Sequence, residues 1–253
     1  MPSSGHAIVI GVGPGLGAAL VERCAREGLK VSAGARDQSR LRKLLDERGL
    51  KNVPALPCDV TDEASVGNLF ADAVKAQGAP DLVIFNAGGY ARGGILELSP
   101  GQLESAWRVG CLGGFHVGQA AARAMVISGH GTILFTGATA SLRGSANFAP
   151  FAIAKFGLRA LAQSMARELG PKGIHVAHVV IDGAIDTAWI RENFPDRAAL
   201  KSQDGILDPD AIAENYWLIH RQPRSAWTHE LDLRPWMEDW WAFRLHFHSI
   251  DRD

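Results

Sequence analysis

The sequence predicts a single-domain, doubly wound α/β fold on a parallel sheet of about seven strands. Short continuous apolar runs alternate with amphipathic stretches along the 253 residues. Continuous runs are typical of strands buried on both faces, as in a parallel sheet covered by helices. A glycine-rich segment joins the first apolar run to the first amphipathic stretch. We find no internal repeat and no linker, so one domain is expected.

The predicted elements follow one another from the N-terminus. Strands are expected over the apolar runs 7–10, 30–35, 53–58, 81–85, 131–135 and 174–181. Helices are expected over 15–27, 39–48, 63–76, 99–127, 148–169 and 211–220. Ser99 and Pro100 support the start of the fourth helix, because serine caps a helix N-terminus and proline suits its first turn.

Two segments depart from this alternation. Residues 187–208, with Trp189 and Phe194, are predicted to form a lid, since loops carry specificity. Residues 234–253 are aromatic and are expected to pack on the body or on a neighbouring subunit. A membrane-surface helix is the alternative for this tail. Its acidic residues disfavour that reading, because such helices carry basic polar faces.

Composition narrows the functional classes. The net charge is −1 and the pI is about 6.8, which argues against a nucleic-acid partner. Cys24, Cys58 and Cys111 are far apart and lack metal spacing, so we expect free thiols in a reducing compartment and no metal site. No apolar run is long enough to cross a bilayer, and the N-terminus does not resemble a signal peptide. A cytoplasmic protein without a membrane partner is expected.

The glycine-rich segment predicts a phosphate-binding turn. Glycines permit the tight turn, bring backbone amides close to a pyrophosphate and let the helix pack on the strand. The helix N-terminus adds free N–H groups and the positive end of its dipole. Gly11, Gly15, Leu16 and Gly17 are therefore candidate cofactor-binding residues. A glycine-rich connection without a ligand is the alternative, but the strand–turn–helix context favours a dinucleotide.

The end of the second predicted strand bears on the choice of cofactor. An acidic residue there would bind the adenosine ribose of NAD, but the sequence has Arg36 and no carboxylate until Asp37. A guanidinium can pair with the 2′-phosphate of NADP. The sequence therefore favours NADP, with NAD as the alternative. Arg36 is otherwise a solvated residue at a helix start, with Asp37 as the helix cap.

Several linked motifs resemble the short-chain dehydrogenase/reductase family over most of the chain. Residues 151–155, Phe-Ala-Ile-Ala-Lys, take the place of its Tyr-x-x-x-Lys motif, and residues 182–187 that of its Pro-Gly-x-Ile-x-Thr segment. The positions at which the family binds its cofactor match Gly11, Gly15, Gly17, Asp59, Val60, Asn86, Ala87, Gly88, Lys155 and Ile185. The resemblance implies a Rossmann domain over residues 1–233. It also implies an NAD(P)-dependent oxidoreductase for a small, partly hydrophobic substrate.

The departures fall on the usual catalytic set of that family, Asn, Ser, Tyr and Lys. The motifs place Gly110 at the asparagine, Ala138 at the serine and Phe151 at the tyrosine, and only Lys155 is retained. Phenylalanine has no proton to deliver to a carbonyl oxygen, and alanine has no hydroxyl to hold it. A general acid contributes about 10²–10⁴-fold to rate and an oxyanion donor about 10²–10³-fold. Ordinary alcohol–ketone chemistry by that route is therefore not expected.

Three other side chains are candidates for the missing acid. Tyr90 follows the Asn-Ala-Gly motif, Thr139 lies one residue beyond the serine position, and Asp182 replaces a proline of the family. Lys155 keeps a second role, because family lysines at this position also bind the nicotinamide ribose. Two functions stay open. One is an oxidoreductase with a divergent site, and the other is a non-catalytic NADP(H)-binding sensor or partner-stabilising protein.

The resemblance also implies a homodimer or homotetramer. Family members often pair through two long central helices, which here would be residues 102–127 and 148–169. Small residues on the first helix are expected to allow close approach of a second subunit. These residues are Gly113, Gly114, Gly118, Ala120 and Ala121.

Overall fold

The computed structural model describes residues 5–237 and is centred on one seven-stranded sheet. Its order is β3-β2-β1-β4-β5-β6-β7, and every neighbouring pair is parallel. The strands are β1 His6–Ile10, β2 Lys30–Ala35, β3 Ala55–Pro57, β4 Leu82–Phe85, β5 Gly131–Thr136, β6 Ile174–Ile181 and β7 Glu230–Leu233. The predicted doubly wound α/β fold is thus confirmed. The order reverses between β1 and β4, where such sheets leave a ligand-binding crevice.

Helices cover both faces of the sheet. They are α1 Leu16–Arg26, α2 Gln38–Glu47, α3 Glu63–Gln77, α4 Pro100–Trp107, α5 Gly113–Met125, α6 Ala149–Leu169, α7 Ala188–Asn193, α8 Pro195–Ala198 and α9 Pro209–His220. One face packs against α1, α2 and α9 through residues such as Leu20, Leu41 and Tyr216. The other packs against α3, α5 and α6 through Leu69 and Leu158. Each such buried side chain contributes about 1.5–3 kcal/mol, so the two cores hold the strand ends in place.

The helix predicted over residues 99–127 is interrupted. Ser99 caps α4 by accepting a hydrogen bond from the Gln102 amide, as expected. A π-helical turn, Arg108–Leu112, then separates α4 from α5. Such single π turns occur frequently at functional sites. Hydrophobic periodicity does not predict this turn, because its residues resemble those of the helices on either side.

Strand β7 lies outside the predicted strands. Its sequence, Glu-Leu-Asp-Leu, alternates polar and apolar residues, and its side chains are only partly buried. Its alternating charged and apolar residues differ from the apolar runs that predicted the other strands. Beyond β7, Pro235 packs on Gly183 and Trp236 donates a hydrogen bond to the Gln203 carbonyl. The rest of the predicted aromatic tail lies outside the described residues.

Four of the five small residues that were expected to let a second subunit approach α5 are buried within the subunit, and Ala120 is partly buried. A Cβ at Gly114 would lie 2.3 Å from Leu158 Cδ1, and one at Gly118 would lie 2.8 Å from Met165 Sδ. Glycine is needed there because α5 packs directly on α6 within the same chain. The exposed apolar side chains on these two helices are instead Phe115, Ile153 and Phe156. The oligomeric state stays a prediction.

The three cysteines are free, as predicted. In the described part of the chain, none of the helices is long and apolar enough to cross a membrane. Nor do His, Cys, Asp and Glu side chains gather into a metal-binding group anywhere between residues 5 and 237.

Candidate functional site

The glycine turn is held against the end of β4. Gly11 has a φ of +88°, and a Cβ on it would lie 2.3 Å from the Ala87 backbone nitrogen. Asn86 fixes this contact, because its side-chain amide donates a 3.1 Å hydrogen bond to the Gly11 carbonyl. Gly17 likewise lacks room for a Cβ, which would lie 2.7 Å from Val12 Cα. Glycine therefore stands at the positions where the backbones of β1, α1 and β4 are in close contact.

The N-terminus of α1 is open to an anion. Gly15 occupies the capping position without a side-chain cap, and the first turn contains no acidic residue. The leading N–H groups of the helix are therefore available to a phosphate, and the helix dipole favours one. These features fit a pyrophosphate.

A groove of about 610 Å³ extends from this turn across the ends of β2 and β3. We call it the basic groove because Arg36, Arg40 and Lys43 line it. The other predicted cofactor residues on its walls are Gly11, Asp59, Val60, Asn86, Ala87 and Gly88. Arg40 and Lys43 were not among the sequence candidates. Their spacing of four and seven residues from Arg36 could have suggested them.

Two carboxylates near Arg36 accept local hydrogen bonds. Asp37 caps α2 by accepting from the Arg40 amide at 2.9 Å, so the alternative interpretation of Asp37 is confirmed. Asp59 accepts from the backbone amide and the hydroxyl of Thr61, and these hydrogen bonds lower the pKa of Asp59. Arg36 itself is exposed at the groove, with a guanidinium available for a ligand.

A second cavity of about 730 Å³ meets the groove at Asn86 and Gly88, which line both. We call it the aromatic cavity. Tyr90 is the centre of its ring cluster, with centroids 5.7 Å from Phe151 and 5.5 Å from Trp189. The cluster also includes Phe148 and Phe194. Leu16 and Ile185, both predicted cofactor residues, line the inner end of this cavity.

Lys155 lies at the base of the aromatic cavity. It projects from α6 and donates a 2.7 Å hydrogen bond to the Thr136 carbonyl at the end of β5. Its side chain is 4% exposed, and burial lowers the pKa of its ammonium from 10.5 to about 8. The Nζ atom lies 5.8 Å from the centroid of the Phe151 ring. Lys155 is thus a buried cation with donors to spare beside the expected reaction centre.

Asp182 and Thr139 are bound to each other. The Thr139 hydroxyl donates a 2.5 Å hydrogen bond to Asp182, whose other carboxylate oxygen pairs with Arg234 at 3.2 Å. Asp182 is buried and does not line the aromatic cavity, whereas Thr139 does. The structure therefore brings Thr139, Tyr90 and Lys155 to the cavity and leaves Asp182 behind its wall.

A chain of buried polar groups supports the loop after β5. The Ala138 amide donates to Ser141 Oγ at 3.1 Å, and Ser141 lies 3.3 Å from His178 Nε2. His178 Nδ1 lies 3.0 Å from Glu230, which Arg159 holds through two hydrogen bonds of 2.7 and 2.6 Å. Burial lowers the pKa of His178 to about 4 despite Glu230. The neutral imidazole donates to Glu230 and accepts from Ser141.

The family model of the short-chain dehydrogenases matches residues 5–198. The chain is 32% identical to the (21S)-21-acetoxyl-apo-melianone synthase of Melia azedarach over 217 residues, which are 82% of this chain and 79% of that protein.

The chain belongs to the short-chain dehydrogenase family.

Two solved structures show the same fold. A short-chain dehydrogenase from Rhodopseudomonas palustris is 39% identical, with a TM-score of 0.77 over 93% of this chain and 100% of that one. A metagenomic short-chain oxidoreductase in complex with NADP is 25% identical, with a TM-score of 0.77 over 92% and 98%. Membership of the family supports a nicotinamide cofactor and oxidoreductase chemistry for this chain.

Two of the three positions at which the motifs predict a departure from the family's catalytic set line the same cavity as Lys155. Ala138 and Phe151 line the aromatic cavity. Gly110 lies in the π-helical turn, where an ideal Cβ would be 3.0 Å from Ala154 Cβ on α6. The tight contact leaves little space for a larger side chain at that position.

Sequence reasoning missed a group of arginines on the outer part of the aromatic cavity. They are Arg92, Arg143 and Arg197. They come from three segments far apart in the chain and lie in no motif. Only the tertiary structure brings them to one cavity.

Proposed function

We propose that this short-chain dehydrogenase binds NADP(H) along the basic groove and reduces a small, partly hydrophobic carbonyl compound in the aromatic cavity. The observation that carries the proposal is the junction of the two spaces at Asn86 and Gly88. A cofactor site and a substrate site that meet beside Lys155 are what hydride transfer needs, since the protein mainly holds the reactants in place.

The preference for NADP rests on the cations at the far end of the groove. Arg36 lies where a dinucleotide site recognises the adenosine ribose, with Arg40 and Lys43 beside it. NAD is the alternative. A fluorescence titration with NADPH and NADH tests the preference. We expect Arg36→Gln to weaken NADPH binding about tenfold and to leave NADH binding unchanged, because a charged hydrogen bond contributes about 1.5–3 kcal/mol. Arg26→Gln, an exposed change outside the groove, is the matched control.

The proton for the substrate oxygen comes from Tyr90 in this proposal. When bound, the reduced nicotinamide supplies the hydride. Tyr90 carries a phenolic hydroxyl, lines the cavity and packs against Phe151. Its side chain is 50% exposed, so solvent can return the proton. Lys155 provides positive charge next to the developing alkoxide and binds the cofactor ribose. Thr139 and Asp182 were alternative acids, and their mutual hydrogen bond favours a positioning role for both.

Substitution of the two tyrosines tests this assignment. The other tyrosine, Tyr216, is buried and bonded to the Thr136 hydroxyl at 2.8 Å, and it does not itself line the cavity. We expect Tyr90→Phe to lower kcat for NADPH oxidation by about 10²-fold or more, the range for loss of a general acid, and Tyr216→Phe to leave it within a factor of two. Equal kcat values for Tyr90→Phe and the wild type would refute the role of Tyr90.

A cofactor-binding protein without turnover is the second candidate. It is favoured by Ala138 and Phe151, which put apolar side chains at the positions that the motifs assign to catalytic groups. Saturable NADPH binding with no NADPH oxidation over a panel of aldehydes, ketones and enones would establish it. Activity that appears only in the Ala138→Ser, Phe151→Tyr double variant would do the same.

We also propose a homo-oligomer, dimer or tetramer, formed through the exposed apolar side chains of α5 and α6. Phe115, Ile153 and Phe156 are each more than 40% exposed. A light-scattering mass of 27.1 kDa, that of one chain, at micromolar concentration would refute this. Cytoplasmic localisation stays a prediction.

A further inference from the structure

The outer wall of the aromatic cavity is built from three separate segments. One follows β4, one lies between β5 and α6, and one contains the lid helices α7 and α8. Each contributes an arginine, namely Arg92, Arg143 and Arg197 in that order. Each also contributes aromatic rings to the same wall, which are Tyr90, Phe148, Trp189 and Phe194. The repeated pairing of a ring with a guanidinium points to a ligand that has an apolar part and a charged group.

The cavity lining has one sign of charge. Within the described part of the chain, its residues include four basic side chains and no aspartate or glutamate. The basic groove differs, since Asp37, Glu47 and Asp59 line it together with its cations. A cleft lined by charges of one sign attracts ligands of the opposite sign. Apart from Lys155 at the base, the charges of the cavity lie on its outer wall.

The cofactor does not account for these arginines. Of the residues proposed to hold the cofactor, Gly11 and Arg36 line the basic groove. Leu16, Lys155 and Ile185 line the aromatic cavity. The three arginines are not among these cofactor candidates. The arginines of the outer wall therefore face the space left for the substrate.

The rings and guanidiniums are arranged to act together. The Arg92 guanidinium carbon lies 5.4 Å from the centroid of the Phe148 ring, a cation–π distance that holds the planar group against the wall. Phe148 in turn packs edge-on to Tyr90 at 6.0 Å. The loops that carry them are tied by a hydrogen bond from the Gly93 amide to the Asn147 carbonyl. A guanidinium fixed in this way is suited to bidentate binding of a carboxylate or phosphate.

We propose that the aromatic cavity selects substrates that carry an anionic group, a carboxylate or a phosphate ester, on an apolar or aromatic body. The inference rests on the proposed function, since it places the reacting carbonyl towards Lys155 and the anion towards Arg92 and Arg143. The body of the substrate lies on the ring cluster around Tyr90, where aromatic faces and edges supply contact area.

Calorimetric titration of the full chain, saturated with NADP⁺ so that no turnover occurs, tests the proposal. The probes are 4-formylbenzoate, 4-formylphenyl phosphate and the neutral 4-formylbenzamide. We expect at least one anion to bind about tenfold or more tightly than the amide, because charge-assisted hydrogen bonds are about twice as strong as neutral ones. The tighter of the two anions identifies carboxylate or phosphate. The preference should fall with added salt.

A double variant supplies the residue-level test. Arg92→Gln with Arg143→Gln changes two exposed side chains, so folding is expected to be retained. It should remove the preference for the anions, whereas Arg26→Gln should keep it. Equal binding of anion and amide, no binding of any probe, or a preference that survives the double variant would overturn the inference.

The outcome is separable from that of the proposed function. NADPH oxidation with 4-formylbenzamide but no anion preference would support the reductase and overturn the anion site. Anion preference without NADPH oxidation by any carbonyl compound would support the anion site and overturn the reductase. If NADP⁺ itself does not bind, the proposed function fails, and the same titrations on the free protein then decide the anion site.

Discussion

Acidification should destabilise this protein through the buried imidazole of His178. The side chain is fully buried between Ser141 and Glu230, and burial lowers its pKa from 6.5 to about 4. The folded state therefore holds it neutral, while the unfolded chain protonates it below pH 6.5. Its contribution to stability is complete above pH 6.5 and is lost as the pH falls towards 4.

The magnitude follows from the two pKa values. Each unit of difference corresponds to about 1.4 kcal/mol, so the full loss is about 3 kcal/mol and the loss at pH 5 is about 2 kcal/mol. That is a large part of a typical 5–15 kcal/mol free energy of unfolding. Glu230 does not change its charge between pH 7 and pH 5. Burial opposes its ionisation, but hydrogen bonds from Arg159 and His178 outweigh burial and lower its pKa, so the carboxylate stays charged at pH 5.

Urea unfolding at pH 7 and pH 5 measures the effect. The variant His178→Gln lacks the titrating group, so we expect it to lose about 2 kcal/mol less than the wild type between the two pH values. His6, His175 and His220, whose pKa values burial also lowers, act in both proteins and cancel. The comparison uses the change in the free energy of unfolding between pH 7 and pH 5. A variant that is less stable at both pH values therefore still tests the prediction. Equal losses in variant and wild type would refute the reasoning.

Three further substitutions have expected outcomes. Lys155→Met should raise the free energy of unfolding at pH 7 by about 1–3 kcal/mol and weaken NADPH binding. Burial lowers the lysine pKa to about 8, so charging the side chain costs stability as the pH falls from 10.5 to 8. A variant that is less stable in urea than the wild type would contradict this. Tyr216→Phe should cost about 1–2 kcal/mol by removing its hydrogen bond to Thr136, without changing NADPH affinity; unchanged thermal unfolding would show that the bond is dispensable. Gly11→Ala should lower stability by several kcal/mol, because its Cβ would lie 2.3 Å from Ala87 nitrogen at a φ of +88°. Gly13→Ala is the control, because its Cβ would meet no atom within 4 Å. Coinciding thermal melts of the Gly11→Ala and Gly13→Ala variants by circular dichroism would contradict the prediction.

The features that depend on local pattern could be predicted from the sequence. The central strands β1, β2, β4, β5 and β6 can be predicted from apolar runs, because both faces of a central strand in a parallel sheet are buried. The glycine turn is predictable for a similar reason, since only glycine tolerates a φ of +88° with the Ala87 backbone against it. Strand β7 could not be predicted in this way, because its sequence alternates charged and apolar residues.

Which partner a side chain contacts depends on segments that are distant in the sequence. Thr139 and Asp182 are 43 residues apart, and a 2.5 Å hydrogen bond joins these two candidate acids to each other. Gly114 and Gly118 are small because of α6 in the same chain, not because of another subunit. A residue's type shows what it is able to bond, but its partner is set only when the chain has folded.

The sequence by itself therefore determined the fold class and the glycine-rich turn between β1 and α1, since both follow from residue types at short spacing. The tertiary structure decided which polar groups remain available to a substrate. It also brought Arg92, Arg143 and Arg197 to one wall of the aromatic cavity. The physical reason is that β-strand ends and loops from distant parts of a parallel sheet converge at its carboxyl edge, where burial and charge are set by neighbours that no local spacing reveals.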